Sequence, residues 1–511
     1  MYLCTKFHQK DKILKTIIRI ILLLLLVLTT QAQTPKHEVR AVWLTTIGGI
    51  DWPHVYGTTS QKQELTHILD QLQQANINTV LIQARVRGTT IYPSSLEPWD
   101  GCMTGKPGNS PGYDALQFCI DECHKRGMEC HAWIVTIPVG KWNALGCKQL
   151  RQKFPKLIVK IGEEGYMNPE KAETGDYLAK ICAEVTRKYD VDGIHLDYIR
   201  YPETWKLKVS HAQGRQYITD IVRKINRAVK GEKPWVKVSC SPIGKYDDLP
   251  RYKSSGWNAN TTVCQDAQGW MRDGLMDALF PMMYFQGNNF YPFAVNWKEF
   301  SYGRIVAPGL AVYMLHPKEK NWDLSVIQRE MYMLREQGLG CTFFRSKFFT
   351  DNTKGIYSFT KDFNVSPALV PPMTWAGKQV PLAPRQLNIQ RGMTADLLDW
   401  KGARDQSGSD YLLYNIYAST DYPVDTESAE CLIATRLRVE SLTVPHKGQT
   451  LNYAVTVTDR YGNESRPVYT QAVLRSKPKV DFRELIMGQP KVKVKSNDKA
   501  KTKAKPKRNK R

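Results

Sequence analysis

Eight short, apolar, β-prone runs recur between Glu38 and Arg345, each separated from the next by a mostly helical connection. This alternation restricts the chain to folds built on a parallel sheet with helices on its faces. The runs are residues 38–46, 79–85, 128–135, the run ending at Asp197, 236–241, 276–284, 304–313 and 340–345. Between them, Ser60 and Gln63 make a capping-box start, and Leu65, Ile68, Leu69 and Leu72 share one helical face. Further helices are expected near residues 113–126, 174–189, 211–229 and 323–337. Eight such units predict an α/β chain with a (β/α)8 TIM barrel. A doubly wound open sheet is the alternative; it would want a glycine-rich phosphate turn after the first strand, and Gly48-Gly49 is not one.

The stretch from Val191 to Pro202 says where chemistry would sit. An apolar run breaks abruptly into Asp197, Tyr198, Arg200, Tyr201 and Pro202, as expected of a buried strand that delivers a carboxylate to a rim. In a (β/α)8 barrel, polar residues at the C-terminal strand ends form the active site. The bland reading of Asp197 is an ion pair with Arg200 or a cap on the next turn.

At 511 residues the chain exceeds what one core organises. The formal charge of +23 is concentrated at the ends. Residues 491–511 hold eleven Lys or Arg against one Asp, a run without interleaved aromatics that meets anionic lipid or wall polymer, or is merely solvated, sooner than nucleic acid. Residues 1–32 carry a basic region, the apolar run Ile20 to Leu28 and Thr30-Gln31-Ala32, the pattern of a signal peptide. The mature chain is therefore expected to begin near Gln33, exported to the periplasm or the exterior. Cys130, Cys240 and Cys341 lie in strand-like runs and should pack as small hydrophobes; Cys119, Cys123 and His124 read better as helix packing than as a metal site; Cys102 and Cys147 are free to pair or not.

The barrel is expected over residues 36–365, followed by a proline-rich linker over 366–383. Short β-type runs over 384–476 fit a small all-β immunoglobulin-like sandwich. Asp399-Trp400, Tyr414-Asn415-Ile416-Tyr417, Tyr453-Ala454-Val455-Thr456 and Tyr461-Gly462-Asn463-Glu464-Ser465 resemble a fibronectin type III module. Residues 477–511 are a low-complexity basic tail, expected to be disordered.

Several barrel segments together resemble the glycosyl-hydrolase-like family ten. They are Glu38-Val-Arg-Ala-Val-Trp-Leu-Thr-Thr, Glu97-Pro98-Trp99 with Thr104-Gly105-Lys106-Pro107-Gly108, His124 through Trp133, Asn168-Pro169, and Tyr189 through Pro202. One departure stands out: many members carry two successive Asp residues after this strand, whereas here Asp197 precedes Tyr198. The resemblance implies glycoside hydrolysis, with bacterial cell-wall glycan, peptidoglycan strands above all, as the leading substrate class.

Most glycosidases use two carboxyl groups about 5 to 9.5 Å apart. Asp197, beside Arg200, is the expected ionised nucleophile or base. Glu97, between Leu96 and Pro98-Trp99, is the acid/base candidate because an apolar wall raises a carboxyl pKa. Its alternative is an ion pair with Arg85 or Arg87, and Asp51 is a third rim carboxylate able to replace it. Sugar sites join aromatic platforms to polar groups. The expected rim supplies Trp43, Trp52, Trp99, Trp133, Tyr198, Tyr201, Tyr284 and Tyr313, interleaved with Arg85, His131, Arg200, Gln286 and Arg345. At least half of the aromatics should simply pack the barrel mouth. No metal ligand set or phosphate loop appears, so no cofactor is expected. A different class of answer is a non-catalytic glycan-binding protein, favoured if neither Glu97 nor Asp51 can approach Asp197.

Overall fold

A computed structural model describes residues 34–253, 256–402 and 411–471. The expected signal peptide and basic tail lie outside the described residues. Eight strand and helix units follow one another as expected. They are β1 (Arg40–Leu44) and α1 (Thr58–Gln74), β2 (Thr79–Arg85) and α2 (Ala115–Lys125), β3 (Glu129–Val135) and α3 (Ala172–Lys188), then β4 (Gly193–Asp197) and α4 (His211–Glu232). The second half comprises β5 (Lys237–Cys240) and α5 (Ala267–Arg272), β6 (Ala278–Leu279) and α6 (Tyr291–Glu299), β7 (Ile305–Val306 continuing as Gly309–Leu310) and α7 (Leu324–Glu336), and β8 (Cys341–Phe343) and α8 (Ile356–Phe363).

All neighbouring strands pair in parallel, and the ring closes through β7. Its first half pairs with β6, Ile305 against Ala278, and its second with β8, Gly309 against Thr342. Two prolines explain why the last strands are shorter than their apolar runs: Pro281 ends β6 and Pro308 divides β7, because neither can donate to the ladder.

Strand alternation splits the core in two. Val42 and Leu44 face the helices, whereas Ala41 and Trp43 join Leu81, Trp133, Ala278 and Phe280 inside the barrel. α1 begins at Thr58, three residues before the capping box suggests, with Gly57 as its N-cap. Thr58 Oγ1 donates to the Pro111 carbonyl at 2.8 Å, so a contact with the long β2–α2 loop sets this end.

One insertion was not expected. After β3, the segments Pro138–Lys141, Ile158–Ile161 and Glu164–Met167 form a small antiparallel sheet beside the barrel mouth, with the helix Leu145–Lys153 between them.

The C-terminal region is the expected sandwich. Strands β9 (Arg385–Arg391), β10 (Ala395–Lys401) and β13 (Ser441–Pro445) form one sheet; β11 (Leu413–Ser419), β12 (Leu432–Leu437), β14 (Asn452–Thr458) and β15 (Val468–Tyr469) form the other. Leu398, Trp400, Ile416, Tyr453 and Val455 fill the space between them. The segment before it is not a free tether. Leu369 bridges to His37 at the start of the barrel and packs against Tyr417 and Val424.

The sandwich covers the N-terminal end of the barrel. Arg436, which closes the Leu432–Leu437 strand, reaches Asp192 at 2.5 Å and Glu129 at 3.2 Å, while Arg438 and Arg460 meet Asp190 at 2.9 and 2.7 Å. Asp190 and Asp192 precede β4 and Glu129 opens β3, so these contacts lie at the opposite end of the barrel from Asp197.

Candidate active site

Asp197 is the last residue of β4 and faces into the barrel mouth. The residue is only 8 % exposed, and its carboxylate takes three hydrogen bonds: Ser241 Oγ donates at 2.9 Å and the Tyr198 N–H at 2.8 Å to Oδ1, while Trp133 Nε1 donates at 3.2 Å to Oδ2. The two side-chain donors come from the neighbouring strands, and the N–H from the residue that follows Asp197. Val135 pairs with Asp197 and His195 with Ser239, so Trp133 and Ser241 flank the carboxylate.

Burial pushes the Asp197 carboxyl above its usual pKa, and the bonds from Ser241, the Tyr198 N–H and Trp133, with the charge of Arg200, offset only part of that. The charge of Arg200 favours the ionised form, in the expected sense, but burial acts against it more strongly. Arg200 turns instead to Glu203 at 2.7 Å and lies 4.3 Å from the centre of the Tyr198 ring.

Asp197 opens onto a cavity of about 260 Å³ walled by Trp43, Trp133, Tyr198, Tyr284 and Phe344, with Gln83 and Arg87 at its polar side. Two of these positions are conformationally unusual: Arg87 and Tyr198 have φ of 85° and 53°, the left-handed region that disfavours side chains. Trp43 is fixed from below, since its Nε1 donates to His195 Nε2 at 3.2 Å. His195 Nδ1 then faces Ser239 Oγ at 3.0 Å, and burial, with His131 nearby, keeps this imidazole neutral by lowering its pKa well below the ordinary value. Tyr284 stacks on Phe344 with centroids 5.4 Å apart.

Of the residues expected at the rim, the fold brings Trp43, Trp133, Asp197, Tyr198 and Tyr284 together. The others go elsewhere. Glu97 does not line the cavity: both carboxylate oxygens are held by Arg85, at 2.7 and 2.8 Å, Tyr177 donates to Oε1 at 3.1 Å, and the two charged side chains have no exposed surface. The acid/base assignment for Glu97 therefore gives way to the ion-pair alternative, and Arg85 is spent in the same pair.

Asp51 is likewise engaged by Arg345 and by the Thr45 N–H at 2.9 Å, although burial raises its pKa. His131 lies deeper in the barrel, 3.0 Å from Glu129. Trp52 is core, donating to the Gln61 carbonyl; Trp99 and Tyr201 pack as structural aromatics. Tyr313 stands edge-on behind Tyr284, and Gln286 is exposed in the β6–α6 loop.

Thr45, Ser241, Gln83 and Arg87 are the polar lining residues that sequence reasoning missed. Ser241 follows β5 at the level of Asp197, and Gln83 is a polar residue inside the apolar β2 run, both readable signals; Arg87, in an irregular loop, offered none.

Among the described residues, one group has metal-ligand chemistry. The sulfurs of Cys119, Cys123 and Cys130 lie within 4.8 Å of one another, fully buried between α2 and β3 and apart from the cavity lining. His124 points to Asp192 at 2.8 Å instead. Cys102 and Cys147 are both free and buried.

A parallel eight-stranded barrel with a buried carboxyl group in an aromatic cavity at its C-terminal end has the architecture of glycoside hydrolases. The sequence agrees: the glycosyl hydrolase-like 10 family matches residues 38–213 and 208–308, and the chain belongs to that family. It is 29 % identical over 484 residues to the glycosyl hydrolase YngK of Bacillus subtilis strain 168, covering 85 % of this chain and 93 % of that one. It is 32 % identical over 294 residues to the glycosyl hydrolase DigH of Escherichia coli K12, covering 49 % and 66 %. Among solved structures, α-L-fucosidase isoenzyme 2 from Paenibacillus thiaminolyticus superposes with a TM-score of 0.45 at 15 % identity, over 68 % of this chain and 51 % of that enzyme.

Proposed function

We propose that the protein hydrolyses O-glycosidic bonds of a glycan seated in the cavity at the C-terminal end of the barrel, with Asp197 as the proton-transferring carboxyl group. The observation that carries this reading is the environment of Asp197: a buried carboxyl with a raised pKa, aimed by three donors into a cavity walled by tryptophan and tyrosine. Trp43, Trp133 and Tyr284 offer faces for the apolar side of a sugar ring, and Gln83 and Arg87 offer polar contacts. Protonation of the glycosidic oxygen by Asp197 lets the bond to the anomeric carbon break; water then adds its oxygen to that carbon and returns a proton to the Asp197 carboxylate. Export by residues 1–32 makes an envelope polysaccharide, with peptidoglycan strands first, the substrate to try.

The second reading, a glycan-binding protein without catalysis, has one specific observation in its favour. Asp197 is the only carboxylate among the described residues that line the cavity, since Glu97 and Asp51 are held in ion pairs.

The deciding experiment incubates the purified protein and its Asp197→Asn variant with peptide-free wall strands, intact wall and several neutral polysaccharides. Release of sugar fragments that disappears with Asp197→Asn supports the hydrolase. Retention of strands by both proteins, with no fragments from either, supports binding alone.

A further inference from the structure

The guanidinium groups near the mouth differ in how closely their charge is matched: Arg345 is paired with Asp51, whereas Arg87 has no carboxylate at hydrogen-bonding distance. Arg200 is buried and meets Glu203 at 2.7 Å. Arg87 lines the cavity with 39 % of its side chain exposed, and its nearest carboxylate, Glu164, is 3.9 Å away and 31 % exposed, beyond hydrogen-bonding reach and open to solvent screening.

The backbone is arranged to hold Arg87 there. Its φ of 85° is followed by 81° at Gly88, and the turn is wedged against the inserted segment after β3. A Cβ on Gly88 would meet the Val139 carbonyl at 3.2 Å, and one on Gly146 would meet the Gly88 carbonyl at 2.1 Å. Gly140 packs in the same way on the Arg87 carbonyl. A left-handed backbone at a residue other than glycine is costly, and here the packing of three glycines imposes it. The result is a planar five-donor group presented to the same cavity as Asp197.

Building on the glycan reading above, we infer that Arg87 recognises an anion on the substrate, and that the glycan taken into the cavity carries a carboxylate on the sugar unit beside Asp197. The guanidinium fork matches a carboxylate bidentately, which hydroxyl groups alone do not require.

The test measures binding by the Asp197→Asn protein, which holds strands uncut, with Arg87 intact or changed to Ala or Lys. The probes are peptide-free wall strands, whose carboxylates sit on lactyl ethers, and polygalacturonate, whose carboxylates sit on the ring. Each is paired with a copy in which the carboxyl groups are reduced to alcohols. Reduction should weaken binding of one acidic polymer by about ten- to hundredfold while Arg87 is present, and should make little difference after Arg87→Ala. Arg87→Lys should recover part of the preference. Which polymer responds separates a lactyl from a ring carboxylate.

Equal binding of native and reduced strands, an equal loss on both with Arg87→Ala, or no binding to either acidic polymer overturns the inference. Fragment release by the protein with Asp197 intact is scored separately, so the hydrolase reading stands or falls on its own result.

Discussion

Trp133 and Asp197 face each other across adjacent strand ends, the indole N–H donating to Oδ2 at 3.2 Å, so one residue both walls the cavity and steadies its carboxyl group. A bond to the ionised form lowers a pKa, and its removal raises it. Trp133→Phe should therefore move the limb of the pH–rate profile that belongs to Asp197 to higher pH, and Ser241→Ala should do the same. Asp197→Asn should lower kcat/KM by about a hundred- to ten-thousandfold. A profile of glycan cleavage against pH checks all three; a limb that stays in place in both donor variants would mean that another group titrates there.

The Arg85–Glu97 pair predicts a different phenotype for the other candidate carboxylate. Glu97→Gln leaves a guanidinium buried beside a neutral amide, and breaking such a pair costs about 3–5 kcal/mol. The variant should melt well below the parent protein, yet the fraction that stays folded should cleave glycan at close to the parental rate. Thermal denaturation beside activity per folded molecule separates this from a catalytic loss.

Glu330 on α7 is fully buried, and neither carboxylate oxygen has a hydrogen-bond partner among the described residues. Burial pushes its pKa up to about 9. An acid whose folded pKa lies above its unfolded value costs nothing below the unfolded value of 4.5, and the fold loses stability as pH rises from there through about 9. Glu330→Gln should raise the melting temperature more at pH 8 than at pH 5. Parallel melts at the two pH values make the comparison; a gain that is equal at both would contradict the assignment.

The contact between barrel and sandwich should fail in acid. Burial alone would raise the Glu129 pKa, but Lys237, His131 and Arg436 overcome it and hold the carboxyl at about 2. This depressed value contributes stability above pH 4.5 that is lost as pH falls toward 2. Arg436→Met should remove part of that dependence and expose the segment before β9 to protease, a change that electrophoresis after brief digestion would reveal.

The barrel was legible because its signal is local. Strand β2 occupies the same residues in the apolar run and in the structure, and Asp197 stands at a strand end in both. What failed depends on which distant residues meet. Leu96-Glu97-Pro98-Trp99 reads as an apolar wall around an acid, but Arg85 arrives from β2 and neutralises it. The small sheet after β3 was missed because Pro138–Lys141 and Glu164–Met167 are too short and mixed to show alternation, and with it went the packing that presents Arg87. Trp43 and Trp133 could be placed at the mouth or in the core from sequence; the structure makes them both, since each is buried within the barrel and still borders the cavity.

The sandwich's three arginines grip the barrel at Glu129, Asp190 and Asp192, on the floor and not the rim. The molecule is thus polarised along one axis, with its accessory module behind the barrel and its opening ahead. Anything that docks on the outer face of the sandwich therefore meets the end of the molecule remote from Asp197, and leaves the approach to the cavity unobstructed.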